Sequence, residues 1–369
     1  MDKRVSVRQC FEYDLEKIIS LIKDIYNSTG GPDPSGKRVL LKPNILTDND
    51  PSKAISTHPV FVEAAIRFLR AAGAAEVMVG DSPAVHRSGF EPVKSGIRDA
   101  CVRAGATWVS FLRGTRDVRL RKGKIKVAAA VLDADMVISL PKLKTHELVY
   151  LTCAVKNTLG VVPGFNKATQ HALHPDRRKF GTFLVDLNEA VTPDYFLTDG
   201  ILAMEGPGPG NGLPVKMNVI IGSTNPLAVD LVATKLTGYA INDIATNRVA
   251  LERGIWLSSP DEMIYDGPDI ESITKHDFKR VHIVRDGSMA AKFLIRRIRP
   301  LRRLERRPVF NSSKCTGCRA CIKICPPQVL SMNENNRFRV EIRDSKCIRC
   351  FCCAEVCPSD AIDIRKKLF

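Results

Sequence analysis

Residues 38–80, RVLLKPNILTDNDPSKAISTHPVFVEAAIRFLRAAGAAEVMVG, decide the fold class. The stretch opens on a short apolar run within Arg38–Ile45 and closes on a second strand candidate, Glu76–Gly80. Between them His58–Ala72 repeats apolar residues at helical spacing, with Phe61, Ala65, Phe68, Leu69 and Ala72 on one face and Gly73 as a stop. Strand, helix and strand in this order predict a βαβ unit, and the pattern continues outward. Val93–Ala104 and Leu227–Leu236 are further helix candidates; Thr107–Phe111, Met136–Leu140, Tyr195–Thr198 and Val219–Gly222 are further strands. Strands separated by helices predict an α/β domain with a mainly parallel sheet, whose ligands gather at the carboxyl ends of the strands. This domain is expected to occupy residues 1–290.

A different rule governs the other end of the chain. Residues 313–332, SKCTGCRACIKICPPQVLSM, superimpose on residues 345–364, SKCIRCFCCAEVCPSDAIDI. Each copy carries Cys, two residues, Cys, two residues, Cys, three residues, then Cys-Pro. Three closely spaced thiolates wrap one face of a cubane, and the fourth lies too far along the chain and reaches the other cluster. The spacing therefore predicts two 4Fe-4S clusters. One is held by Cys315, Cys318, Cys321 and Cys357, the other by Cys347, Cys350, Cys353 and Cys325. Zinc sites rarely repeat such a run with its trailing proline. Pro326–Lys346 has room for a hairpin turning near Asn333–Asn336. Cys352 stands where the first copy has Ala320, so it is read as a non-ligand beside a cluster. Residues 311–369 are expected to form this small α+β, ferredoxin-like domain, with a basic linker over 291–310.

Composition agrees with a globular protein of two or three domains: 44% apolar and 26% charged among 369 residues. No apolar run reaches the roughly 18 residues of a membrane-spanning helix. The start, MDKRVSVRQC, lacks the apolar stretch of a secretion signal, so a cytoplasmic location is expected. In a reducing compartment, cysteines crowded between Cys315 and Cys357 are ligands rather than disulfides; outside them stand only Cys10, Cys101 and Cys153. Of the net charge of +16, +7 lies between Lys292 and Arg307, where Glu305 is the lone acid among eight basic residues, and the remainder of the chain is still basic. A linker is the simplest reading of that segment, with docking to a partner protein or an anionic membrane surface as alternatives. Without interleaved aromatics or a nucleic-acid motif, nucleic acid is not an expected partner.

Three polar loops follow strands of the larger domain: Lys42-Pro43-Asn44, Asp81-Ser82-Pro83, and Lys142-Leu143-Lys144-Thr145-His146. Converging at one sheet edge, they predict an anion site. Five histidines, His58, His86, His146, His171 and His174, lie before residue 180, but no pair has ligand spacing, so a catalytic metal is not expected in this domain. Two apparent nucleotide motifs fail. Gly31–Lys37 resembles a Walker A start, yet Arg38 replaces its Ser/Thr and a strand follows. The glycines from Gly206 to Gly212 are interrupted by prolines and open no helix, so they predict a rigid loop.

Four segments, LLKPNIL, STHPVFVEAAIRFLRAAGAAEVMVGDSP, LPKLKTHELVYLTCAVKNTLG and TDGILAMEGPGPG, resemble the domain of unknown function 362 family over roughly residues 35–240. Members often carry the same C-terminal ferredoxin repeat. The resemblance implies a pocket containing Lys42, Asn44, His58, Asp81, Lys142, His146, Lys156, Asn157, Asp199 and Glu205. Cys153 lies outside that pattern.

Fusion of an electron wire to a basic pocket predicts an oxidoreductase fed by a ferredoxin or similar donor protein. Lys142, Lys144 and Lys156 would hold an anionic substrate, and His146 or His58 would donate the proton. No flavin or nicotinamide motif is visible. Two other functions compete: an electron-transfer subunit docking on a partner enzyme, and a non-redox enzyme whose clusters are structural.

Overall fold

The computed structural model describes residues 2–83, 90–164, 166–174, 176–281, 306–333 and 335–366. His86 and the basic segment up to residue 305 lie outside the described residues. The larger domain is the expected α/β unit, built on a mainly parallel mixed sheet. Its strands are β1 (Arg4–Gln9), β2 (Arg38–Pro43), β3 (Glu76–Asp81), β4 (Thr107–Ser110), β5 (Thr115–Arg119), β6 (Lys124–Ala128), β7 (Met136–Leu140), β8 (Lys142–His146), β9 (Tyr150–Thr152), β10 (Tyr195–Glu205), β11 (Leu213–Ser223) and β12 (Ile264–Asp266). They run across the sheet as β12-β1-β11-β10-β7-β2-β3-β4, while β5 and β6 form a separate hairpin. β2 pairs parallel with both β3 and β7. The antiparallel exceptions are β11 against β1 and β10, and β9 against β8.

Alternation along β2 shows why the sheet is covered on both sides. Val39 and Leu41 enter one core with Ile18 of α1 (Leu15–Ser28), Phe61 of α2 (Pro59–Ala71) and Ile97 of α3 (Ile97–Ala104). Leu40 enters the other with Phe180 and Leu231, from the helices Arg177–Val191 and Pro226–Leu236. Successive side chains point to opposite faces, so both faces need helices. α1 is capped by Asp14, whose side chain accepts from Lys17 N, and it buries Ile18, Ile22 and Ile25 on one face.

One expectation fails here. Lys142–His146 is not a loop but β8, fully buried and paired with β10 and β9. Pro141 has no N–H and ends β7, yet its carbonyl still accepts from Asp199 N at 2.9 Å, so the chain stays extended beside β10. Five polar or apolar residues can be buried there because the charged ones find partners described below.

The C-terminal domain has a strand pair, β13 (Arg306–Phe310) with β16 (Ile362–Lys366), and a hairpin, β14 (Leu330–Asn333) with β15 (Asn336–Ile342), where the turn was expected. β13 falls inside the expected linker 291–310. Pro308 is tolerated in it because a two-stranded ladder leaves an edge free of the N–H requirement. The sequence repeat is also a structural one. The short helices Ala320–Ile324 and Cys352–Glu355 each start after a residue in the left-handed region, Arg319 (φ 61°) and Phe351 (φ 63°).

Candidate active site

The polar residues predicted for one pocket form two separate networks. In the first, Lys142 Nζ lies 2.7 Å from Asp199 Oδ2 and donates to Tyr13 OH at 3.0 Å; Tyr13 OH in turn donates to Asp199 Oδ1 at 2.8 Å. Both charged side chains are essentially inaccessible, 1% and 0% exposed. His58 N also donates to Asp199 Oδ2, and the His58 ring stacks on Tyr13 with centroids 3.5 Å apart. His58 Nδ1 accepts from Val60 N, which makes His58 the N-cap of α2. These contacts give His58 and Lys142 structural partners within the domain.

Burial pushes the His58 imidazole down from 6.5 to about 4, against the opposing pull of Asp199. The unfolded chain therefore takes up this proton near pH 6.5 and the native protein only near 4. Stability from this group is complete above pH 6.5 and lost as pH falls through about 4. His58→Asn, which keeps a capping acceptor, is expected to flatten the dependence of thermal unfolding on pH across that window. An unaltered curve would show that another group governs acid sensitivity.

The second network lies at the carboxyl ends of β2 and β3. Lys42 Nζ pairs with Asp81 Oδ1 at 3.0 Å and donates to Asn157 Oδ1 at 3.2 Å. Asn157 accepts as well from Asn44 Nδ2 at 2.9 Å, and its own Nδ2 donates to Ser139 Oγ and Lys42 O. Gly160 lets the following turn close over this pair, since a Cβ there would come within 2.2 Å of Asp81 Oδ1 and 2.3 Å of Lys42 Nζ.

This network floors a small cavity of about 80 Å³, room for a compact anion rather than a drug-sized ligand. Lys144, Lys156 and Lys167 line it from the larger domain; Ile324, Cys352, Glu355 and Val356 line it from the cluster domain. The two domains are clamped beside it. Arg306 Nη1 meets Glu147 Oε2 at 2.7 Å, Asn211 Nδ2 donates to Ala354 O at 3.3 Å, and His146 Nε2 lies 3.3 Å from Glu355 Oε1. The glycine-rich loop 206–212 joins β10 to β11 and packs against the clamp. A Cβ on Gly210 would come within 2.6 Å of Glu355 O, so that glycine lets the cluster domain approach.

The cavity has more positive charge than partners for it. Lys144 Nζ donates to the carbonyl of Ile55 at 2.7 Å, and among the described residues no hydrogen-bond partner is found for Lys156 or Lys167. Burial lowers the affinity of all three for protons, Lys144 most strongly and Lys167 to about 7. Burial raises the Glu355 carboxyl, opposed by Lys156 and Lys144. Glu355 is the carboxylate nearest Lys144 and Lys156 and Asp81 the one acting on Lys167, so an incoming anion would stabilise all three ammonium groups.

Comparison with known proteins is consistent with this two-part construction. Residues 39–235 match the domain of unknown function 362 (DUF362), and residues 314–361 match a 4Fe-4S dicluster domain. The chain belongs to the DUF362 family. The thylakoid-associated protein sll1697 of Synechocystis is 32% identical over 287 residues, spanning 72% of this chain and 87% of that protein. Among solved structures, the lactate racemase apoprotein of Thermoanaerobacterium thermosaccharolyticum aligns at a TM-score of 0.44 and 11% identity, over 63% of this chain and 56% of that one. A Thermotoga maritima protein aligns at 0.37 and 14%, over 56% and 55%. The alignments thus span just over half of each solved chain.

The dicluster domain makes this DUF362 protein an iron–sulfur protein. Its cysteines fit the group: Cys315, Cys318, Cys321 and Cys357 line one cavity together with Phe310 and Val340. Cys353 is close enough to Cys350, Cys347, Cys321 and Cys325 for those thiols to push it further above its ordinary value, after burial. Among the described residues no helix is long and apolar enough to cross a membrane. Of the residues carried over from the family resemblance, Lys42, Asn44, Asp81, Lys156 and Asn157 line the cavity, as does Lys144 from the sequence reading. Lys142, Asp199 and His58 belong to the buried network, and His146 stands behind Glu355. Glu205 is elsewhere, accepting from Lys279 N at 2.9 Å and pairing with its ammonium at 3.3 Å. Sequence reasoning missed Lys167, His171, Cys352 and Glu355 as lining residues. The one available signal was Cys352, the cysteine of the second copy that faces Ala320 in the first.

Proposed function

We propose that this protein is an iron–sulfur oxidoreductase acting on a small anionic substrate held between its two domains. The observation that carries this reading is the position of the lysine-lined cavity: its far wall is Glu355 together with Ile324, Cys352 and Val356, the immediate chain neighbours of Cys325, Cys353 and Cys357. When bound, two 4Fe-4S clusters supply electrons singly. Cys315, Cys318, Cys321 and Cys357 would hold one, and Cys347, Cys350, Cys353 and Cys325 the other. Lys156, Lys144 and Lys167 bind and orient the anion, with the Lys42–Asp81 pair and Asn44 as the floor. Glu355, whose carboxyl burial favours the protonated form, is the cavity's proton donor in this reading. His146 serves behind it rather than in the cavity. His146 Nδ1 accepts from Leu148 N at 3.0 Å, so its proton sits on Nε2, facing Glu355. A ferredoxin-type donor and a reducing, cytoplasmic setting complete the proposal.

The test is anaerobic reconstitution followed by reduction and electron paramagnetic resonance. Adding inorganic phosphate or a short carboxylate is expected to perturb the signal of one cluster. Cys325→Ser is expected to halve iron and sulfide and to remove the anion-sensitive signal while leaving the other. Signals indifferent to every anion tried, with both clusters reducible, would sink the reading.

A further inference from the structure

The cavity contains a donor set outside the cluster cysteines; it includes Glu355, whose proton-donor role above belongs to the metal-free cavity. A ring nitrogen of His171, the Cys352 sulfur and a Glu355 carboxylate oxygen lie within 4.8 Å of one another. His171 comes from the helix Asn166–Leu173 of the larger domain; Cys352 and Glu355 occupy positions i and i+3 of the short helix Cys352–Glu355, on one face. The three meet only because the domains are clamped together.

Two of these groups lack partners. His171 is 5% exposed, and its Nδ1 has no hydrogen bond among the described residues. Glu355 Oε1 is equally buried and, although 3.3 Å from His146 Nε2, makes no hydrogen bond to it. An orphaned imidazole nitrogen and an orphaned carboxylate oxygen in one small space are costly unless something joins them. The His171 ring is also held in orientation by stacking on Phe180, centroids 4.4 Å apart.

We propose that His171, Cys352 and Glu355 bind one divalent transition-metal ion of the zinc or ferrous-iron type, distinct from the clusters. One nitrogen, one sulfur and one oxygen donor suit such borderline ions and not magnesium or calcium. Three protein ligands leave a position open, as catalytic sites require. That position faces the cavity lined by Lys144 and Lys156. A thiolate, a carboxylate and a neutral imidazole cancel the charge of a divalent ion, so the ion adds no net positive charge to a basic cavity.

The experiment uses the full chain with its clusters reconstituted anaerobically and loose metal removed by a chelator. Titration with Co²⁺ is expected to load one equivalent beyond cluster iron, with a thiolate-to-cobalt charge-transfer band. His171→Ala, on the domain without cluster cysteines, and the near-isosteric Glu355→Gln are each expected to weaken Co²⁺ binding by roughly 100-fold or more, with iron and sulfide unchanged. Cys352→Ser is expected to abolish the band and likewise keep its iron. The assignment is overturned if the holoprotein retains no cobalt, or if His171→Ala and Glu355→Gln bind it as tightly as the parent. Loss of iron and sulfide from Cys352→Ser would also overturn it, by giving that thiol to a cluster.

Discussion

Lys142→Met is expected to destabilise the protein by roughly 3–5 kcal/mol, the cost of removing one partner from a buried ion pair. Lys142 and Asp199 are 2.7 Å apart at 1% and 0% exposure. Without the ammonium, Asp199 keeps Tyr13 OH and His58 N as donors but remains an uncompensated buried charge. The pair itself is no net gain over water: burial lowers the proton affinity of Lys142 despite Asp199 beside it. Hence Lys142→Met combined with Asp199→Asn should recover most of the loss, because no charge is then stranded. Thermal unfolding of the holoprotein, with iron content as a control, checks both variants. A single variant within about 1 kcal/mol of the parent would contradict this account, since only an exposed pair is worth so little.

Lys156→Ala is expected to behave oppositely: little loss of stability, and anion affinity reduced by roughly 10- to 100-fold, as for a lost charge-assisted hydrogen bond of about 1.5–3 kcal/mol. Lys156 has no hydrogen-bond partner among the described residues, and burial lowers its proton affinity. Its unfolded form therefore binds the proton more readily, so the charged lysine costs stability at neutral pH, and removing it relieves that cost. Anion affinity should also fall as pH rises through about 7, where Lys167 loses its proton. Phosphate titration by calorimetry across pH, on parent and variant, reads both effects. A large drop in unfolding temperature with unchanged phosphate affinity would make Lys156 structural.

The contrast between these lysines was hidden in the sequence, where Lys142, Lys144 and Lys156 read alike. Lys142 and Lys144 both lie on β8 and both alternate to the same face, yet one finds Asp199 and the other lines the cavity. Partner identity depends on which strand lies alongside, and the break at Pro141 placed β8 against β10 where a loop was expected. His58 shows the same limit. It opened the helical stretch His58–Ala72 in the sequence, but only its bond from Val60 N and its stacking on Tyr13 reveal it as a buried cap.

What the sequence by itself determined were features written in local spacing. The apolar periods of residues 38–80 imply strand, helix and strand, because one chain segment must present its own buried face. The doubled cysteine run implies 4Fe-4S chemistry, because a cluster's ligands must follow its geometry within a few residues. Only the tertiary structure decided which polar groups share the cavity. Lys156 and Lys167 face Cys352 and Glu355 across a domain boundary held by Arg306–Glu147 and Asn211–Ala354. No period or motif links residues so far apart in the chain; their meeting depends on how two folded surfaces fit.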